Sequence, residues 1–69
     1  MNDLTPEQWF EASERIARSF HESYEYLAPM FGYRTREASA KPWEEVPDQN
    51  KSLMRATVQR LLNSGVIKP

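Results

Sequence analysis

One run of residues constrains this chain more than any other feature. Trp9, Ser13, Ile16, Phe20, Tyr24 and Leu27 recur at spacings of three and four, which places them along one side of a long helix. The start of that helix is written just before it. Thr5 is a good N-cap, Pro6 suits the first helical position, and Gln8 completes a Thr-x-x-Gln capping box. Leu4 and Trp9 take the two positions of a hydrophobic staple. The opposite side carries Glu11, Glu14, Arg15, Arg18, Glu22 and Glu25, with Glu11–Arg15 and Glu14–Arg18 in the favourable i,i+4 order. Pro29 biases Ala28 away from helical angles, so the helix is expected to span about residues 5–28.

A second helix is expected over about 47–64. Pro47 falls in its first turn or Asp48 caps it, and the acid suits the N-terminal dipole either way. Leu53, Met54, Thr57, Val58 and Leu61 make its apolar stripe, with Ser52, Arg55 and Gln59 facing away. Gly65 sits where a left-handed C-cap residue belongs, Val66 is placed to pack back on Leu61, and Val66 and Ile67 are candidates to extend the core.

Between the two helices lies a long segment, residues 29–46, that is too rich in Met30, Phe31, Tyr33 and Trp43 to be left unstructured. Trp43–Val46 is long enough for one short helical turn. The predicted fold is therefore all-α: a single domain over residues 1–69 with two main helices, a long ordered aromatic and basic loop, and a turn near 43–46.

Composition then removes most kinds of chemistry. A chain of 69 residues buries only about 60% of its unfolded surface, so its core is small. With no cysteine there is no disulfide framework, thiolate zinc site or cysteine nucleophile, and a lone histidine gives no histidine-based metal cluster. Two glycines are too few for a phosphate-cradling glycine-rich loop. The formal charge of −1 speaks against a nucleic-acid duplex as partner. The apolar runs are two or three residues long, and Met1–Leu4 holds neither a basic segment nor an apolar run. These features predict a protein of the cytoplasm with no membrane segment, no catalytic residue, no cofactor and no metal.

The overall charge hides a local one. Residues 34–41 hold Arg34, Arg36 and Lys41 against Glu37 alone, a net +2 inside an acidic chain. Guanidinium groups take phosphate bidentately, a lysine adds a point charge, and aromatic faces such as Tyr33 and Trp43 stack on bases. Core packing is the better reading of Trp43, which follows Pro42 and precedes two carboxylates. His21 flanks the apolar stripe and reads either as a ligand-contacting imidazole or as an anchor for the long loop, and its position favours the anchor. Asn50 shares a helical face with Met54, Thr57 and Leu61, which makes it a loop anchor or a ligand-reading amide, with Lys51 at its edge. Tyr26 lies off the stripe and suits an interface.

Taken in order, His21-Glu22-x-Tyr24, Gly32-Tyr33 and Pro42-Trp43-Glu44-x-Val46-Pro47, followed by Lys51, resemble the ryanodine-receptor-type repeat. The resemblance spans roughly Ile16–Leu62 and is closer in style to compact single-copy bacterial and phage forms than to the paired repeats of animal channels. It implies two helices crossed by a long loop and a ligand-binding role without catalysis. It also implies His21, Tyr24, Tyr33, Trp43 and Lys51 as site residues, and a nucleotide-derived signal as the ligand class. Lys41 stands where the family usually has a histidine, and the repeat occurs once. A single copy would regain the paired arrangement as a homodimer, which would also support a small core. The sequence thus leads to a nucleotide-like small molecule bound by His21, Tyr24, Tyr33, Arg34, Arg36, Lys41, Trp43, Asn50 and Lys51, in a sponge or sensor for an immune second messenger. The alternative is a structural or protein-interaction helical module with no small ligand.

Overall fold

The computed structural model describes residues 4–37 and 39–69. Met1, Asn2 and Asp3, whose lack of a basic segment or apolar run was noted above, and Ala38 lie outside the described residues. The fold is all-α. Helix α1 spans Pro6–Leu27 and helix α2 spans Asp48–Asn63, each within a residue of the expected bounds at either end. Two short 3-10 turns lie between them, Ala28–Phe31 and Trp43–Glu45, the second being the turn expected near 43–46.

The capping box forms as the sequence predicts. The Gln8 N–H donates to Thr5 Oγ1 at 3.1 Å and the Thr5 N–H donates to Gln8 Oε1 at 2.9 Å. At the C-terminal end of α2, Gly65 adopts φ +80°, its N–H bonds to the Leu62 carbonyl and the Val66 N–H to the Leu61 carbonyl. That pair of bonds is a Schellman ending.

Three local expectations are corrected. Ala28 keeps right-handed helical angles (φ −53°, ψ −46°) and bonds back to the Tyr24 carbonyl, because Pro29 is accommodated in the first positions of the 3-10 turn that prolongs α1. Pro47, not Asp48, occupies the N-cap position of α2, with no side-chain cap, and Asp48 is its first residue. Val66 stays exposed while Ile67 packs on the core.

The core is a cluster of Ala17, Trp43, Val46, Val58 and Leu62, with Trp9, Ile16, Met54 and Ile67 partly buried against it. Helix α2 runs back along α1, so that Met54 lies beside Phe20 at one end and Pro69 beside Gln8 and Ala12 at the other. Helix α1 has 22 residues and α2 has 16, and this difference decides which part of each stripe is buried. The first half of the α1 stripe packs as expected. Its second half, Phe20, Tyr24 and Leu27, stays exposed, and the loop instead covers the adjacent side, burying Ala17, His21 and Ala28.

On α2, Leu62 takes the buried place expected of Leu53, which is 69% exposed, and Arg55 turns toward α1 rather than away. The aromatic density of the loop did not force packing either. Trp43 is 3% exposed, whereas Met30, Phe31 and Tyr33 all face solvent.

Besides a bond from Thr35 to Glu25, three polar ties hold the loop to α1. Glu14 accepts from Trp43 Nε1 at 2.7 Å, Arg18 pairs with Glu44 at 2.7 Å, and His21 Nε2 lies 2.6 Å from the Lys41 carbonyl oxygen. Among the described residues no helix is long and apolar enough to cross a membrane.

Candidate functional site

The site is built on the part of α1 that extends past α2. His21 is 2% exposed, packed beside Trp43 with ring centroids 5.8 Å apart. A carbonyl oxygen only accepts, so Nε2 carries the hydrogen it shares with Lys41, and His21 serves as the anchor of the loop. One turn further on, the Thr35 hydroxyl donates to Glu25 Oε1 at 2.7 Å and holds the basic segment against the same helix. These two bonds leave an opening between helix and loop.

That opening is a cleft of about 360 Å³. Helix α1 supplies Phe20, His21, Tyr24 and Glu25 to its wall, the loop supplies Arg34, Thr35, Arg36 and Ser39, and Met54 of α2 lies at its base. Phe20 and Tyr24, a turn apart, stack with centroids 5.9 Å apart and planes 22° from parallel. Across from this apolar wall lie the two arginines, both exposed. The ion pairs among the described residues engage Arg18 and Arg55 rather than Arg34 or Arg36. The cleft thus combines an aromatic wall, two guanidinium groups and one carboxylate.

Of the nine residues expected to bind a ligand, the fold brings His21, Tyr24, Arg34 and Arg36 together in this cleft. Tyr33 lines a neighbouring depression of about 330 Å³ that shares Arg34 and Glu25 with it. Lys41 lines another, about 370 Å³, together with His21 and Glu22. Trp43 is core, and Lys51 sits with its Nζ 5.5 Å from the Trp43 ring centroid, behind the cleft rather than in it. Asn50 is half-buried at the start of α2 and outside all three depressions.

Sequence reasoning missed Phe20, Glu25, Thr35, Ser39 and Met54 as cleft residues. For Phe20 a signal was available, since it stands one turn before Tyr24 on the same stripe. Thr35, between two arginines, gave no comparable signal.

Behind the cleft, Glu14 organises the charges. Desolvation by burial raises its pKa, but hydrogen bonds from Trp43 and Arg55 and the positive charges of Arg55 and Lys51 outweigh it, and the net shift is downward. Glu14 is therefore ionised under ordinary conditions and pairs with Arg55 of α2, while Arg34 and Arg36 are the basic groups that line the cleft. Among the described residues no group of three His, Cys, Asp or Glu side chains is placed to hold a metal ion.

Comparison with protein-family models finds no match, and comparisons with curated proteins and with solved structures find none either.

Proposed function

We propose that this protein is a non-catalytic binding module of the cytoplasm that takes a phosphate-bearing, nucleotide-derived small molecule into the cleft between α1 and the basic loop. The observation that carries this reading is the placement of Arg34 and Arg36 opposite the stacked Phe20 and Tyr24 rings in one cleft. Guanidinium pairs suit phosphate, and an aromatic wall suits the face of a base. Glu25 fits the same ligand class. Its carboxylate would repel a phosphate placed beside it, but it accepts from an exocyclic amine, so a molecule with phosphate at one end and a base at the other satisfies both sides of the cleft.

The resemblance to the ryanodine-receptor-type repeat supports the same ligand class. In a phage or a host the module would serve as a sponge or a sensor for an immune second messenger, acting as a homodimer. In this reading Tyr24, Arg34 and Arg36 bind the ligand, with His21 as the anchor that shapes the cleft. Tyr33 and Lys41 are then rim residues, and Trp43, Lys51 and Asn50 act through the fold.

Thermal denaturation with a panel of mononucleotides, cyclic dinucleotides and larger cyclic oligonucleotides tests the proposal. A ligand at a hundred times its Kd stabilises by about 2.7 kcal/mol, a rise in Tm of roughly 10 °C or more for a chain this small. Arg34→Ala combined with Arg36→Ala is expected to abolish that rise without lowering the ligand-free Tm by more than a degree or two, since both arginines are exposed. A panel that produces no rise at any concentration overturns the proposal. The second reading, a protein-interaction module, would then take its place, and the exposed Tyr26 on α1 is the observation that favours it.

A further inference from the structure

The helical stripe of α1 does not stop where α2 does. Beyond Ile16 it continues as Phe20, Tyr24 and Leu27, which are 61%, 50% and 43% exposed, and Met30 and Phe31 on the following 3-10 turn are more open still. Leu53 of α2 stands on the other bank of an apolar groove of about 230 Å³, which it lines with Phe20, Met54 and Leu61. We infer that a second copy of this chain covers this face, the two copies pairing through the C-terminal halves of their α1 helices. The inference rests on the self-association included in the reading above and is independent of the ligand.

Three observations point to a second copy. The first is charge. Around Phe20, Tyr24 and Leu27 the neighbours on the open side are Ser19, Ser23 and Tyr26, all uncharged. The charged residues of the same stretch are engaged elsewhere, Glu22 with Arg18 and Glu25 with Thr35. The side of the stripe turned away from the cleft arginines thus carries no charge to repel its own image, and aromatic residues and methionine with depleted charge are what interface centres contain.

The second is area. At about 200 Å² for a whole side chain, the exposed fractions of Phe20, Tyr24, Leu27, Met30, Phe31 and Leu53 amount to roughly 700 Å² per copy. Two such faces hold about 1,400 Å² in all, and with the cleft sides of Phe20 and Tyr24 left open the area removed falls toward the lower end of the 1,200–2,000 Å² of a stable specific pair.

The third is shape. A two-fold pairing needs one patch that is complementary to itself, and this one holds both a ridge, Phe20 with Leu27, and the groove beside it. Because Phe20 and Tyr24 also form the cleft wall, pairing makes the second copy part of the outer rim of the ligand cleft.

Sedimentation velocity on the full chain, without ligand and from about 10 μM to 1 mM, tests the inference. The expected result is a species of twice 8.1 kDa that dissociates on dilution. Leu27→Glu and Leu53→Glu, both at exposed positions outside the cleft lining, are expected to weaken the pair at least tenfold with helical circular dichroism unchanged. Val66→Glu, the same kind of change on a distant exposed residue, is expected to leave the pair as tight as before. Leu27→Ser and Leu53→Ser replace either acidic variant that loses helical signal. A chain that stays at 8.1 kDa throughout, or a dimer indifferent to changes at both positions, overturns the inference. A monomer that still binds nucleotides overturns this inference and the self-association it rests on but leaves the ligand reading standing, and a dimer that binds none overturns only the ligand reading.

Discussion

Glu14 joins three segments with one carboxylate. Its Oε2 accepts from Trp43 on the loop, its Oε1 accepts from Arg55 on α2 at 2.8 Å, and its own backbone belongs to α1. Because these bonds favour the charged form, the folded protein holds its pKa below that of the unfolded chain. The stability this contributes is complete above the ordinary glutamate range and is lost as pH falls through that range toward the lower folded value. Glu14→Gln keeps the size and one acceptor but loses the charge paired with Arg55. It is expected to cost about 1 kcal/mol near neutral pH and less at a pH below the ordinary glutamate range. Urea denaturation of both proteins at the two pH values measures this, and an equal cost at each would contradict the assignment. His21 works at the same scale by a different route, as a buried donor to the Lys41 carbonyl. Its anchoring role was legible because a lone histidine beside the stripe faces whatever covers the helix there. The part played by Glu14 was not legible, since its partners lie 29 and 41 residues away in sequence.

At the scale of elements, what depends on near neighbours could be read directly. The Thr5–Gln8 capping box and the Gly65 ending are set by residues within five positions, and both form as the sequence indicates. Gly65 allows a clean test, because a Cβ added there would meet no heavy atom within 4 Å. Gly65→Ala therefore carries only the backbone penalty of a left-handed residue, about 1 kcal/mol, and is expected to lower Tm by roughly 4–8 °C. An unchanged Tm in thermal denaturation would contradict this origin. The faces of the helices were less legible. A stripe shows which side of a helix is apolar but not how far its partner reaches, so the exposure of Phe20, Tyr24 and Leu27 followed only from the shorter α2. For the same reason Leu53 of the expected stripe stands exposed, and Leu62, which was not counted in that stripe, is buried where α2 meets the core. In the loop, Trp43 packed because Val46 and Glu14 both meet it, while Tyr33 had no such partner and stayed outside.

The whole molecule is slender, 40 × 23 × 13 Å, and α1 extends past the shorter α2. That extension creates the two functional features proposed above, the cleft and the apolar face, which adjoin and share Phe20 and Tyr24. The net +2 of residues 34–41 marked the basic half of the cleft in advance. The aromatic half was assigned to Tyr33 and Trp43, whereas the fold uses Phe20 and Tyr24, since only a helix places two rings in stacked register a turn apart. The central claim is that this cleft is where a nucleotide-derived ligand sits. Titrating the ¹⁵N-labelled protein with the nucleotide panel and mapping amide shift changes by NMR tests it most directly. The account predicts saturable changes concentrated on Phe20–Glu25 and on Arg34, Thr35 and Arg36, absent in the doubly substituted arginine variant. Changes centred on the Leu53–Leu61 groove, or none at all, would contradict it.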